Sequence, residues 1–149
     1  MKLARLSLLF ISFCFPVTQS ASKVPPRMSV QHLKNVLRQQ GFTGSLKGDI
    51  AFKDLGPLGC GTDEYRVFYF SWAEMRPGGI PGHGQQRLLL IGAGERYLGS
   101  FEIEDPPLKV KFNMIEFSHN PEDVAHVHCE DGARLYLAWP DGSEKDLWK

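Results

Sequence analysis

The chain has 149 residues and carries 17 basic and 17 acidic side chains, so its formal net charge is zero. Neither an internal repeat nor a low-complexity tract interrupts it. This length predicts one domain, and the absence of a basic stripe argues against nucleic acid and anionic lipid as partners.

The first 22 residues have the three-part order of a signal peptide. Two basic residues come first, an uncharged apolar stretch occupies residues 6–15, and small residues lie between Thr18 and Ser22. The apolar stretch is shorter than the roughly 20 residues that a membrane-spanning helix needs, which disfavours a retained anchor. We therefore expect export to a periplasm or to the outside of the cell, with no membrane span after cleavage. The mature chain is expected to begin between about Ala21 and Met28.

The predicted organisation has three parts. Residues 1–22 form the signal peptide, residues 23–28 form a lead-in stiffened by two prolines, and residues 29–149 form a single globular domain. Removal of 22 residues leaves 127, enough to bury a sizeable core without metals or many cross-links. The mature chain then has 15 basic and 17 acidic residues, a mild net charge of −2.

One helix is predicted from Ser29 to Gln40. Ser29 is a suitable N-cap residue, and the residues after it place apolar side chains on one face at helical spacing. Gly41 follows as the residue that can adopt the left-handed conformation at a helix end. A helix with one apolar face must pack on another element.

Short segments of β-forming residues follow the helix. Residues 65–72 are apolar on both faces and predict a central, covered strand. Two hairpins are predicted, one over residues 87–103 and one around the turn at Pro140–Ser143. Between them, the apolar positions alternate from Val110 to Met114 and then shift by one, which predicts a bulge. The predicted class is α+β, with one N-terminal helix packed on a mostly antiparallel sheet of about seven short strands.

The predicted mature chain contains two cysteines, Cys60 and Cys129. Such a pair in an exported chain predicts one disulfide that closes a loop of 69 residues. The alternative is a catalytic thiol at Cys60, as in a cysteine hydrolase, but a thiol in an oxidising compartment tends to become a disulfide.

A His-x-His pair is the candidate metal site. In a strand, His126 and His128 point to one face and Cys129 to the other. Two imidazoles can share copper or zinc, and His119 and Glu130 are the candidates to complete the shell. The competing interpretation is a pair of partly exposed histidines satisfied by hydrogen bonds, because the spacing fixes no third ligand.

A glycine-rich segment between two strands is the candidate binding loop. Residues 76–84 hold four glycines and two prolines, which predicts a long irregular loop held by stiff strands. We predict a partner-binding surface there, with Arg76, His83 and Arg87 as polar contacts and Ile80 as the apolar tip. The competing interpretation is a connection without a binding role.

These patterns favour a small exported, non-enzymatic binding or interaction module, possible types being an inhibitor or an immunity protein. Its partner would be another protein or a cell-envelope ligand, and no cofactor is expected. The alternative is a periplasmic copper- or zinc-binding protein, or a small metal-dependent enzyme that uses the His-x-His strand. The sequence contains no Gly-x-Ser-x-Gly or His-Glu-x-x-His motif that would indicate a particular enzyme.

Overall fold

The computed structural model describes residues 25–47, 49–78, 80–130 and 134–148. The predicted signal peptide and the first two residues of the lead-in lie outside the described residues. Within the described ranges, no helix is long and apolar enough to cross a membrane.

One α-helix, two short 3-10 helices and nine strands make up the regular structure of the described residues. The 3-10 helices span Ala93–Glu95 and Pro121–Asp123. The helix α1 spans Val30–Gln39. The strands are β1 Asp49–Cys60, β2 Asp63–Arg76, β3 Ile80–Gly92, β4 Arg96–Glu102, β5 Lys109–Lys111, β6 Met114–Glu116, β7 Val124–Glu130, β8 Arg134–Ala138 and β9 Glu144–Asp146.

The strands form two antiparallel sheets, of order β1-β2-β3-β4 and β5-β6-β7-β8-β9. The α+β class is therefore correct, whereas the prediction of a single sheet of about seven short strands is wrong. Three of the nine strands have 12 to 14 residues, longer than the apolar segments that predicted them. Their extra length consists of polar and glycine-containing ends that pair in register with a neighbouring strand.

The two sheets and the helix form three layers. One apolar cluster lies between the sheets and includes Leu88 and Phe101 of the four-stranded sheet and Leu137 of the five-stranded sheet, each 0% exposed. A second cluster lies between α1 and the other face of the four-stranded sheet, where Leu37 and Phe70 are fully buried. The four-stranded sheet is thus covered on both faces, as predicted for residues 65–72.

Helix α1 is fixed by its caps and by the turn between β3 and β4. The Ser29 side chain accepts a hydrogen bond from the His32 backbone N–H at 3.2 Å. The His32 imidazole lies 2.7 Å from the Glu95 carboxylate, and the Gln40 amide donates to the Glu95 carbonyl at 3.1 Å. These contacts orient the helix on the four-stranded sheet rather than on both sheets.

The edges of the two sheets meet on both sides of the molecule. On one side, the Gly59 N–H donates to the Phe112 carbonyl at 3.0 Å. On the other, Ser100 and Trp148 exchange two backbone hydrogen bonds. Gly99 is required there, because a Cβ atom at this position would lie 2.3 Å from the Trp148 carbonyl oxygen.

The predicted disulfide is confirmed. Cys60 at the end of β1 and Cys129 in β7 are bonded, with their Cα atoms 6.0 Å apart and 69 residues apart in sequence. The bond joins the two sheets. Because Cys60 is paired in this structure, it does not present the free thiol that a cysteine hydrolase would need.

A buried arginine holds the lead-in segment. The Arg66 guanidinium makes a forked contact with the Asp54 carboxylate, the shortest distance being 2.7 Å, and it also donates to the Pro25 carbonyl at 3.1 Å. Arg66 is 7% exposed, and the Asp54 carboxylate neutralises its charge. The chain from Pro25 onward therefore belongs to the folded structure.

Two local predictions are wrong. Residues 76–84 do not form a long irregular loop, since β2 continues to Arg76 and β3 begins at Ile80, and these two residues are paired. Residues 110–114 do not form one strand that ends in a bulge. A two-residue turn separates β5 from β6, because Lys111 pairs with Met114, and β6 then pairs with β7 without a register shift.

Candidate binding surface

The outer face of the five-stranded sheet is the side that points away from the four-stranded sheet. No other element of the described chain covers this outer face: alternate residues of β7 and β8 face the core, and the residues between them are exposed or half-buried. Tyr136 is the exception, because it lies on the outer face yet is only 9% exposed.

Tyr136 is enclosed between two other side chains of the outer face. Its ring stacks on the His128 imidazole, with ring centres 5.2 Å apart and planes within 13° of parallel. The Arg134 guanidinium lies over the same ring, 4.2 Å from its centre. The cross-strand register produces the stack, because His128 is directly opposite Tyr136.

Carboxylates fix both ends of this stack. Arg134 donates to Asp146 at 2.7 Å and to Glu144 at 2.9 Å, and these two carboxylates raise the pKa of Arg134. The Tyr136 hydroxyl lies 3.4 Å from a Glu130 oxygen. Burial, followed by the charge of Glu130, raises the pKa of Tyr136. The stack is therefore held in one geometry on a surface exposed to solvent.

Phe112 lies in the turn between β5 and β6 and lines a groove together with His128. Its side chain is 74% exposed and its backbone is left-handed, with φ of 54°. A bulky residue in this conformation is strained by about 1–2 kcal/mol, and a hairpin turn normally places Gly, Asn or Asp there. Two backbone hydrogen bonds hold the turn in place. The Gly59 N–H donates to the Phe112 carbonyl, and the Val127 N–H donates to the Asn113 carbonyl.

A second left-handed residue shows why Phe112 is unusual. Glu95 has φ of 60°, but its carboxylate and carbonyl both bind α1, so its side chain serves the fold. The Phe112 side chain is 74% exposed, and its backbone carbonyl accepts a hydrogen bond from Gly59. We call Phe112, His128, Tyr136 and Arg134 together the outer-face stripe.

Two clefts adjoin the stripe at the end of the molecule where the disulfide lies. A groove of about 650 Å³ is lined by Phe112, His128 and the disulfide. A larger cleft of about 1110 Å³ lies on the other side of the disulfide and is lined by Glu130 and Arg134 among others. Glu64 and Cys129 line both spaces, so the two adjoin at the disulfide.

The structure places the four predicted metal ligands on or near β7. His126 is half-buried opposite Ala138, whereas His128 is exposed and stacked on Tyr136. Among the described residues, no three side chains of the types His, Cys, Asp and Glu converge as a metal site would require, His119 and Glu130 included. The metal hypothesis stays a prediction, and it lacks a third ligand in this part of the chain.

The predicted binding residues of the 76–87 segment fall into two groups. Arg76, Ile80 and His83 have strand backbones, and their side chains lie outside the described part of the structure. Arg87 is half-buried, and its guanidinium lies 5.7 Å from the centre of the Phe42 ring. It therefore helps to cover the four-stranded sheet, and a partner-binding role for the segment stays a prediction.

Sequence reasoning found His128 and Glu130 but missed Phe112, Tyr136 and Arg134. The pairing of His128 with Tyr136 depends on the register across the turn between β7 and β8, which a pattern along one strand does not reveal. A signal for Phe112 was present in Asn113, a residue that favours turns and follows it directly.

Comparison with known protein families, with characterised proteins and with solved structures finds no match for this chain.

Proposed function

We propose that this chain is an exported, non-enzymatic binding module that docks a partner protein on the outer face of the five-stranded sheet. The observation that carries the proposal is the outer-face stripe. Its His128, Tyr136 and Arg134 form a stack at the surface, and its strained, exposed Phe112 lines a groove together with His128.

The stripe has the composition of a protein interface. Tyrosine and arginine are enriched among residues that dominate binding energies, and rigid planar side chains lose little conformational entropy on binding. Stacking and the carboxylate contacts have already restricted the side-chain conformations of Tyr136 and Arg134. Because these groups are bonded to one another, their arrangement suits contact rather than proton or group transfer.

A photo-crosslinking experiment tests the docking face. The crosslinking amino acid p-benzoylphenylalanine is placed at position 126, next to the stripe, in cells that make the protein. A matched variant carries it at Gln39, an exposed position of α1 on the opposite side of the molecule. We expect a defined protein adduct from position 126 and none from position 39; equal labelling at both positions, or none at 126, contradicts the proposal.

The purified partner then provides the quantitative test. We expect His128→Ala to weaken its binding about 10-fold, since interface residues in well-packed sites cost more than 1 kcal/mol when truncated. The control is Lys53→Ala, an exposed residue of β1 in the other sheet. Lys53→Ala should keep the wild-type melting temperature, and His128→Ala should lower stability by no more than about 1 kcal/mol, the value of one cross-strand aromatic pair.

Export is the second part of the proposal. The Pro25 carbonyl is bonded to buried Arg66, so a mature chain that begins before Pro25 keeps this contact. We expect cleavage between Ala21 and Pro25, and intact-mass measurement of the secreted or periplasmic protein locates it. Retention of residues 1–20 in that mass contradicts export by a cleaved signal peptide.

A further inference from the structure

We infer that the 1110 Å³ cleft beside the disulfide receives a lysine or arginine side chain of the partner protein. The inference rests on the proposed function and specifies the chemistry of what docks. The lining of the cleft, its charge and its position beside the outer-face stripe, which shares Arg134 with it, support this assignment.

The lining combines apolar walls with charged side chains. Leu98, Leu135 and Leu147 are half-buried and contribute apolar surface from three different strands or strand ends. The charged lining consists of the carboxylates Asp63, Glu64, Glu130 and Asp146 and the guanidiniums Arg96 and Arg134. A long basic side chain matches this division, because its alkyl stem packs on leucine while its charged end meets carboxylate.

The charges of the cleft do not balance. Among the described residues of the lining, four carboxylates face two guanidiniums, which gives these residues a net charge of −2. Arg134 is already engaged by Asp146 and by Glu144 outside the cleft. Among the described lining residues, this leaves one guanidinium, that of Arg96, to balance the carboxylates of Asp63, Glu64 and Glu130.

Glu64 is the central residue of the site. It lies at the disulfide, where the large cleft meets the groove of Phe112 and His128, and its side chain is exposed. A partner bound to the outer-face stripe could therefore also contact Glu64, which lines the same groove as Phe112 and His128. Positive charge on that partner is favoured in the cleft and also speeds association.

Three capped tripeptides test the charge requirement by NMR titration of the isotope-labelled protein. The peptides are acetyl-Leu-Lys-Leu-amide and its norleucine and glutamate counterparts, so only the central side chain changes. We expect the lysine peptide to shift the backbone amide signals of Leu98, Leu135 and Leu147 more than the other two do, and less at high salt. Equal shifts from the norleucine peptide, larger shifts from the glutamate peptide, or none from the lysine peptide overturn the inference.

Charge-removing variants complete the test. Glu64→Gln combined with Glu130→Gln should weaken lysine-peptide binding at least 5-fold, whereas the exposed pair Glu102→Gln and Glu104→Gln, outside the cleft, should leave it unchanged. The same variants are then measured with the crosslinked partner. If His128→Ala weakens binding of that partner but Glu64→Gln with Glu130→Gln does not, the cleft inference fails and the proposed function stands. If none of these substitutions weakens its binding, both fail.

Discussion

The two sheets of this protein differ in what covers them. The four-stranded sheet packs α1 on one face and the five-stranded sheet on the other, and Phe70 and Phe101 are fully buried on its two sides. The five-stranded sheet buries only its inner face, and its outer face carries the stack of His128, Tyr136 and Arg134. The four-stranded sheet is thus covered on both faces, whereas the five-stranded sheet has one face left to present as a surface.

This difference indicates how structural residues can be separated from binding residues. Side chains of the four-stranded sheet should act on stability, and side chains of the outer face should act on binding. Both sheets contain ordered polar contacts, but Arg66 is buried under a covering layer whereas Arg134 is exposed. Substitutions on each side can contradict that division.

The largest expected effect is at the covered sheet. Phe70→Ala should destabilise the protein by about 3–5 kcal/mol, because it removes a fully buried aromatic ring and leaves a cavity. The matched change on the outer face is His126→Ala, which should alter stability by less than about 0.5 kcal/mol. Urea unfolding followed by tryptophan fluorescence measures both, and similar losses for the two variants contradict the division.

The disulfide is expected to rank next. Replacing Cys60 and Cys129 together by serine should cost about 4 kcal/mol, the chain-entropy value for a loop of 69 residues. Because the bond joins the two sheets, its loss should also lower binding at the cleft. An oxidised and a reduced protein that unfold at the same urea concentration would show that the bond stabilises nothing.

The pair between Arg66 and Asp54 should have an intermediate effect. Asp54→Asn leaves the buried guanidinium without its counter-charge and should cost roughly 2 kcal/mol, less than a fully buried pair because the Asp54 side chain is 28% exposed. Lys53→Ala, one residue away and exposed, is the control. Calorimetry of the wild type and the two variants measures their stabilities. If Asp54→Asn is as stable as the wild type, the ion pair with Arg66 has no structural role.

Tyr97 gives a prediction on pH. Burial raises the pKa of Tyr97 above its ordinary value of 10.0, and the nearby Ser100 hydroxyl offsets part of this increase. The Tyr97 hydroxyl makes no hydrogen bond of normal geometry. The folded state therefore holds the proton more tightly than the unfolded state. The resulting stability is complete below pH 10 and is lost as the pH rises through the raised pKa.

Tyr97→Phe should remove this alkaline loss and cost little at pH 7, since no hydrogen bond is broken. Tyr69→Phe is the control, because it breaks a 2.7 Å hydrogen bond to Gln86 and should be destabilising at every pH. Melting temperatures between pH 7 and pH 11 measure the effect. An alkaline limb that is the same in Tyr97→Phe and in the wild type contradicts the assignment.

The sequence predicted the parts of the fold that local signals specify. Ser29 and Gly41 marked the helix ends, Pro140–Ser143 marked a turn, and the two cysteines marked the bond. It did not predict the division into two sheets, because hairpins indicate which strands are neighbours but not where one sheet ends. It also did not predict that the helix packs on only one of the two sheets, because this too depends on contacts between distant parts of the chain.

The outer-face stripe was harder to predict than the fold. Phe112 favours strands, so its alternation with Val110 and Met114 predicted a continuous strand, whereas tertiary backbone bonds hold it in a left-handed turn. The stack combines residues of β7 and β8 that only the strand register brings together. Such a site depends on contacts across strands, which a pattern along the chain does not contain.

Phe112→Gly tests the central claim most directly, although its effect on stability is the smallest. Glycine adopts the left-handed turn without strain, so the variant should be as stable as the wild type or more stable by up to about 1 kcal/mol. If the outer face is the docking surface, loss of this exposed ring should weaken binding of the crosslinked partner about 10-fold or more. Weaker binding with equal or higher stability is the predicted result; unchanged binding, or lower stability, would contradict the account.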